Sequence, residues 1–139
     1  MNMPSFTTLI EDTSPILIYS QSGWRSGTSE TDGPLDQYTE SSFALALTLG
    51  ATMNFAFNGS GIALVGGMRP NHGTYSVTVD GTQSAPANGQ SNTSLFNQTM
   101  FEDHSLQQGF HTLILTNEQG DDIDIDYVGR GGHEKQRAV

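Results

Sequence analysis

Two short stretches hold the side chains best suited to recognising a ligand. In residues 66–73, GGMRPNHG, an arginine, an asparagine and a histidine fall within four positions: Arg69, Asn71 and His72. A guanidinium, an amide and an imidazole on one loop offer fixed N–H donors and a carbonyl acceptor, a set that reads sugar hydroxyls. The competing reading is that Asn71 and His72 bond the loop's own backbone and hold its turn. The second stretch is Trp24-Arg25, the only tryptophan beside one of the two arginines in residues 1–129. An indole gives a flat wall for the apolar face of a pyranose, and the neighbouring guanidinium donates to its hydroxyls. Against this, the tryptophan can cap a core while Arg25 pairs with one of the many acids. Trp24, Arg25, Arg69, Asn71 and His72 are the five ligand-binding candidates, with Trp24 as stacking wall at the same end as loop 67–72.

Other chemistry finds less support. Asp121, Asp122, Asp124 and Asp126 look like a metal run, but alternate residues of a strand lie about 6.5–7 Å apart, so Asp122 and Asp126 cannot share an ion. The glycine-containing calcium loop is also missing; the run reads as a solvated acidic face. His104, His111 and His133 lack metal-ligand spacing, and cysteine is absent, so no metal site and no disulfide is expected. No nucleophile elbow, zinc-protease helix, phosphate loop or dinucleotide fingerprint occurs, which argues against an enzyme.

The elements that must position these residues are strands. The chain has 139 residues, enough for one domain with a single core, and 16 glycines punctuate short apolar runs. Residues 52–57 alternate, with Met53, Phe55 and Phe57 on one face; Tyr75, Val77 and Val79 do the same before the tight-turn pair Asp80-Gly81. Further strands are expected over 6–10, 16–19, 42–49, 62–65, 82–85, 94–101, 110–116 and 122–128. In the last, Ile123, Ile125 and Tyr127 face in and the aspartates face out. Residues 20–40 form a long polar loop. About eight to nine strands make an all-β, antiparallel jelly-roll sandwich over residues 1–128, followed by a disordered polar tail over 129–139. Alternating strand direction gathers loops 67–72, 87–93 and 117–121 at one end and 58–60, 80–82 and 102–109 at the other.

Five basic against 15 acidic residues give a net charge of −10, and residues 1–129 hold only Arg25 and Arg69 against fourteen acids. Such a body repels phosphate backbones and anionic lipid, so nucleic acid and membrane surfaces are poor partners for it and neither nucleic-acid binding nor membrane insertion is expected. No stretch is long and apolar enough to cross a membrane as a helix. The first residues lack the charged and apolar regions of a signal peptide, which points to a cytoplasmic or non-classically exported chain. The sequons at Asn58, Asn92 and Asn97 fit the alternative, a secreted and processed form.

The succession FAFNGSGIALVG, PNHGTYSVTVDG, GFHTLILTN and DIDIDYVG resembles the galactose-binding-like jelly rolls. It is most similar to a version frequent in mushroom-forming fungi, in which an N-terminal segment like Glu11-Asp12-Thr13-Ser14-Pro15 through Tyr19, Ser20 and Trp24 recurs. The likeness spans about residues 9–128. It implies the sandwich fold, the lectin and carbohydrate-binding-module class, and a structural calcium in many members whose ligands have no identifiable place in this chain. The reading is therefore a lectin-like protein binding a neutral glycan or glycoconjugate through sandwich-end loops. The alternative is a non-catalytic interaction or structural sandwich, and a homo-oligomer is compatible with both.

Overall fold

The computed structural model describes residues 5–12, 14–26 and 43–133. They form an antiparallel β-sandwich, as expected, with thirteen strands among the described residues: β1 (Ser5–Glu11), β2 (Leu17–Tyr19), β3 (Trp24–Ser26), β4 (Ala44–Ala46), β5 (Thr52–Gly59), β6 (Gly61–Met68), β7 (Thr74–Val79), β8 (Thr82–Gln83), β9 (Ala87–Asn88), β10 (Leu95–Asp103), β11 (Gly109–Asn117), β12 (Ile123–Ile125) and β13 (Tyr127–His133). One sheet runs β1-β13-β6-β10, and the other β2-β5-β11-β7-β8 with β9 also on β7. A three-stranded sheet, β12-β4-β3, joins the first where β12 passes into β13 across Asp126.

The core is built by period-two alternation. Met53, Phe55 and Phe57 from β5 meet Leu113 and Leu115 from β11 and Tyr75 and Val77 from β7, all buried. Ile62 and Leu64 of β6, with Val128, close it from the facing sheet. Phe55, Phe57, Val77, Leu113 and Ile125 are all inside, as the alternation predicts. The hairpin between β7 and β8 turns on Asp80 (φ 52°) and Gly81 (φ 84°); positive φ at both central residues matches the twist of the flanking strands.

Three expectations are corrected. Residues 24–26, read as loop, form β3, because Ala44–Ala46 supplies a partner that no local pattern announces. The end of the last strand at Val128 is too early: β13 continues to His133 between β1 and β6, its glycines lacking any apolar pattern. Of the expected tail, residues 134–139 lie outside the described residues, as do 27–42 of the long polar loop. The aspartates of the final stretch do not all face out. Asp124 and Asp126 are fully buried and Asp122 is half-buried, because β12 is covered on both faces.

Candidate functional site

Loops 67–72, 87–93 and 117–121 do share one end. Ser91 donates its N–H to the Arg69 carbonyl, Gly89 to Gly73, and Gly73 to Asp122. On this scaffold a chain of polar side chains runs inward. Asn71 Nδ2 donates to Asp122 Oδ2 (2.9 Å), which leaves Asn71 Oδ1 to accept from His72 Nδ1 (2.8 Å). His72 Nε2 and Asp124 Oδ2 are hydrogen-bonded at 2.9 Å, and the other Asp124 oxygen accepts the Gly67 N–H. His72 is 3% exposed. With both ring nitrogens engaged it stands below the surface expected of a hydroxyl-reading group; it ties the loop to β12. A Cβ at Gly66 would lie 2.2 Å from the Asp124 carbonyl oxygen, so only glycine allows β6 this close to β12. Arg69, at the loop's outer side, lies 5.7 Å from the Phe96 ring centroid.

Trp24 sits at the same end but belongs to another surface. Its row across the three-stranded sheet is Trp24–Ala46–Ile123, so two strand spacings, about 10 Å, separate its backbone from the residue beside Asp122. Trp24 is half-buried, and its indole N–H reaches the Thr52 carbonyl (3.0 Å) and Ser20 Oγ (3.1 Å). Arg25 follows in the next row, Arg25–Leu45–Asp124. Tyr19 packs 4.7 Å from the tryptophan at 58° and donates its hydroxyl to the Asp12 carbonyl (2.6 Å). Burial, then the Asp12 charge, pushes that phenol above its usual range. These side chains border a hollow of about 440 Å³, apolar at Leu17, Tyr19 and Trp24 and polar at Asp12, Ser14 and Arg25. The structure thus brings Trp24 and Arg25 to one hollow, Asn71 and His72 into one buried chain, and Arg69 onto Phe96. It does not set all five on one surface. Tyr19, Asp12 and Ser14 were not singled out as site residues, although the Asp12-Thr13-Ser14-Pro15 segment marks their place in the sequence.

Among the described residues, no three His, Asp or Glu side chains converge as ligands for a metal ion. Among the described residues no calcium cage of the kind the resemblance implies is formed, and Asp124 is engaged by His72 and Gly67.

The opposite end holds a second hollow, about 390 Å³, lined by Val77, Val79, Phe101 and Leu106 with Asp80 and Asp103. Beside it His111 Nδ1 donates to Asp80 Oδ2, and His111 Nε2 donates to the Gln107 carbonyl (2.6 Å). The hydrogen bond to Asp80, then the one to Gln107, raises the His111 pKa; His111, then the Thr112 N–H, lowers that of Asp80. The lowered carboxylate contributes stability above about pH 4 that is lost as pH falls through its folded value. The raised imidazole contributes below about pH 6.5, lost as pH rises through its folded value. The pair therefore stabilises most between those limits. In His111→Gln, the decline in Tm from pH 6 to pH 8 should be shallower than in wild type. Parallel melting curves against pH test this, and equal slopes would refute it.

No protein-family model matches the chain, and no curated protein matches it by sequence. Solved structures do match. A family 35 carbohydrate-binding module from Clostridium thermocellum superposes with a TM-score of 0.62 at 15% identity, over 89% of this chain and 96% of the module. The catalytic domain of a GH87 α-1,3-glucanase in complex with nigerose gives 0.60 at 15% identity, over 99% of this chain but 30% of that one. A family two carbohydrate esterase from Cellvibrio japonicus gives 0.56 at 14%, over 93% and 34%. The chain spans about a third of those enzymes and nearly the whole of the module, and what it shares with all three is a β-sandwich fold.

Proposed function

We propose that this chain is a non-catalytic, lectin-like carbohydrate-binding domain that takes a neutral glycan in the hollow beside Trp24. The observation that carries the reading is the hollow itself: two adjoining aromatic rings, Tyr19 and Trp24, with Arg25, Ser14 and Asp12 in the same lining. Aromatic faces accept the C–H side of a pyranose while a few polar groups fix its hydroxyls. The match to a carbohydrate-binding module over nearly its full length supports this role over a catalytic one, since the chain corresponds to only part of the matched enzymes. Arg69 and Asn71 make a lesser rim at the neighbouring loop end, where Phe96 offers a second ring.

Screening against a glycan array, followed by calorimetry on the best sugar, tests the reading. Trp24→Ala and Arg25→Ala should each weaken binding more than about tenfold, or 1.4 kcal/mol. Trp24→Phe, which keeps a ring, should retain part of it, and affinity should change little with added salt because the ligand is neutral. Wild-type affinity in both alanine variants would remove the hollow from consideration. A wild-type chain that binds no glycan would end the carbohydrate reading.

A further inference from the structure

The outer face of the larger sheet is unlike the rest of this acidic chain. Successive rows across β2, β5, β11 and β7 read Ile18–Asn54–Ile114–Thr78, then Ala56–Thr112, then Asn58–Phe110; just past the end of β7, Asp80 exchanges hydrogen bonds with Thr112 and closes the middle row at the edge. Inside that edge no residue in these rows is charged, in a chain of net charge −10. The charged groups adjoining the face stand at its margins and are engaged. Asp80 is bonded to His111, Glu118 accepts from Ser76 Oγ (2.6 Å), and Arg130 donates to the Asn58 carbonyl. Phe110 is 82% exposed and Ile18 58%. An aromatic ring so open has no role in the core, and it lies in a row with exposed Asn58 and next to exposed Thr112 and Ala56.

We propose that this face is a second glycan platform, on which a segment of a linear, neutral polysaccharide lies; the proposal rests on the carbohydrate reading of the first hollow. Along β5 the face alternates amide, methyl and amide at Asn54, Ala56 and Asn58, and along β11 hydroxyl, alkyl and hydroxyl at Thr112, Ile114 and Thr116. A sugar chain presents the same alternation of C–H patches and hydroxyls, and Phe110 supplies the ring for one residue of it. The absence of charge selects the class. A polyanion or polycation would find no counter-charge within the three rows to offset its lost hydration, whereas a neutral chain desolvates only hydroxyls, which the amides and hydroxyls of the face can hydrogen-bond. A hollow on one side of β2 and a platform on the other would bind a long polymer more tightly than a short fragment, because the second contact is intramolecular.

The probes are immobilised xylan, mannan and β-glucan, compared with their di- and trisaccharides in calorimetry. Phe110→Ala and Ala56→Asp, both at exposed positions, should reduce affinity for the long polymer about tenfold. They should leave fragment affinity unchanged, while Arg25→Ala weakens both. Platform variants that hold the polymer like wild type, while Arg25→Ala releases it, would overturn the platform and leave the hollow standing. A wild type that binds neither polymer nor fragment would sink the hollow and the platform together. A wild-type dimer in sedimentation that Ala56→Asp converts to monomer would show that a second copy covers the face, and would overturn the proposal. So would an N-linked glycan on Asn58, seen as added mass in protein from a secreting host, since it would cover the face from within the chain.

Discussion

Asp124→Ala is expected to lower the free energy of unfolding by about 3–5 kcal/mol, because it strands two buried hydrogen-bonding partners at about 1–3 kcal/mol each. Asp124 is fully buried and accepts from both His72 Nε2 and the Gly67 N–H. Alanine leaves both groups facing a space too enclosed for easy hydration. The damage should propagate, because His72 links through Asn71 to Asp122 and so fixes the loop on which Arg69 stands. In a domain whose whole stability is about 5–15 kcal/mol, such a loss is a large fraction, and Tm should fall by about 10 °C or more. Asp124→Asn, which keeps one acceptor, should lose less. Chemical denaturation of the two variants decides it: a loss below about 1 kcal/mol for alanine would show that the buried chain adds nothing to stability.

Phe55→Ala should cost about 3–5 kcal/mol for a different reason. Phe55 is 1% exposed, pairs across the sheet with Leu17 and Leu113, and stacks on Phe57 at 5.4 Å. Removing the ring opens a void whose walls belong to three strands of one sheet, so the site cannot collapse without moving backbone. The denaturant midpoint should drop while the m-value stays constant, the signature of a cavity in an intact fold. A midpoint within experimental error of wild type would mean that the sheet repacks freely around the gap.

The two residues also mark what could be read from sequence. Phe55 lies in an unbroken alternation with Met53 and Phe57, and such a pattern reports its own burial because one face is wet. Asp80-Gly81 was equally legible, since turn chemistry is local. Asp124 sits in the same kind of alternation, Ile123-Asp124-Ile125, yet both faces of β12 are covered. An acid there looks like a solvated position until its partner, 52 residues away, is known. The short β3 and the glycine-rich end of β13 were hidden for a related reason: three residues, or a run of glycines, carry no periodic signal. Their partners come from elsewhere in the chain. Trp24 and Arg25 were legible as a pair but not as residues of a strand, because β3 was missed.

The pairing of β1 with β13 sets Ser5 opposite His133 and Glu11 opposite Tyr127, so the first and last described strands are neighbours. The path enters and leaves the domain one strand spacing apart, about 4.8 Å. A module with that geometry can be spliced into a surface loop of another protein and disturb its host at a single point. During synthesis the same geometry imposes a wait. Of the described strands β1 emerges first and its partner β13 last, and until then the edge of β1 is open to any other strand in reach.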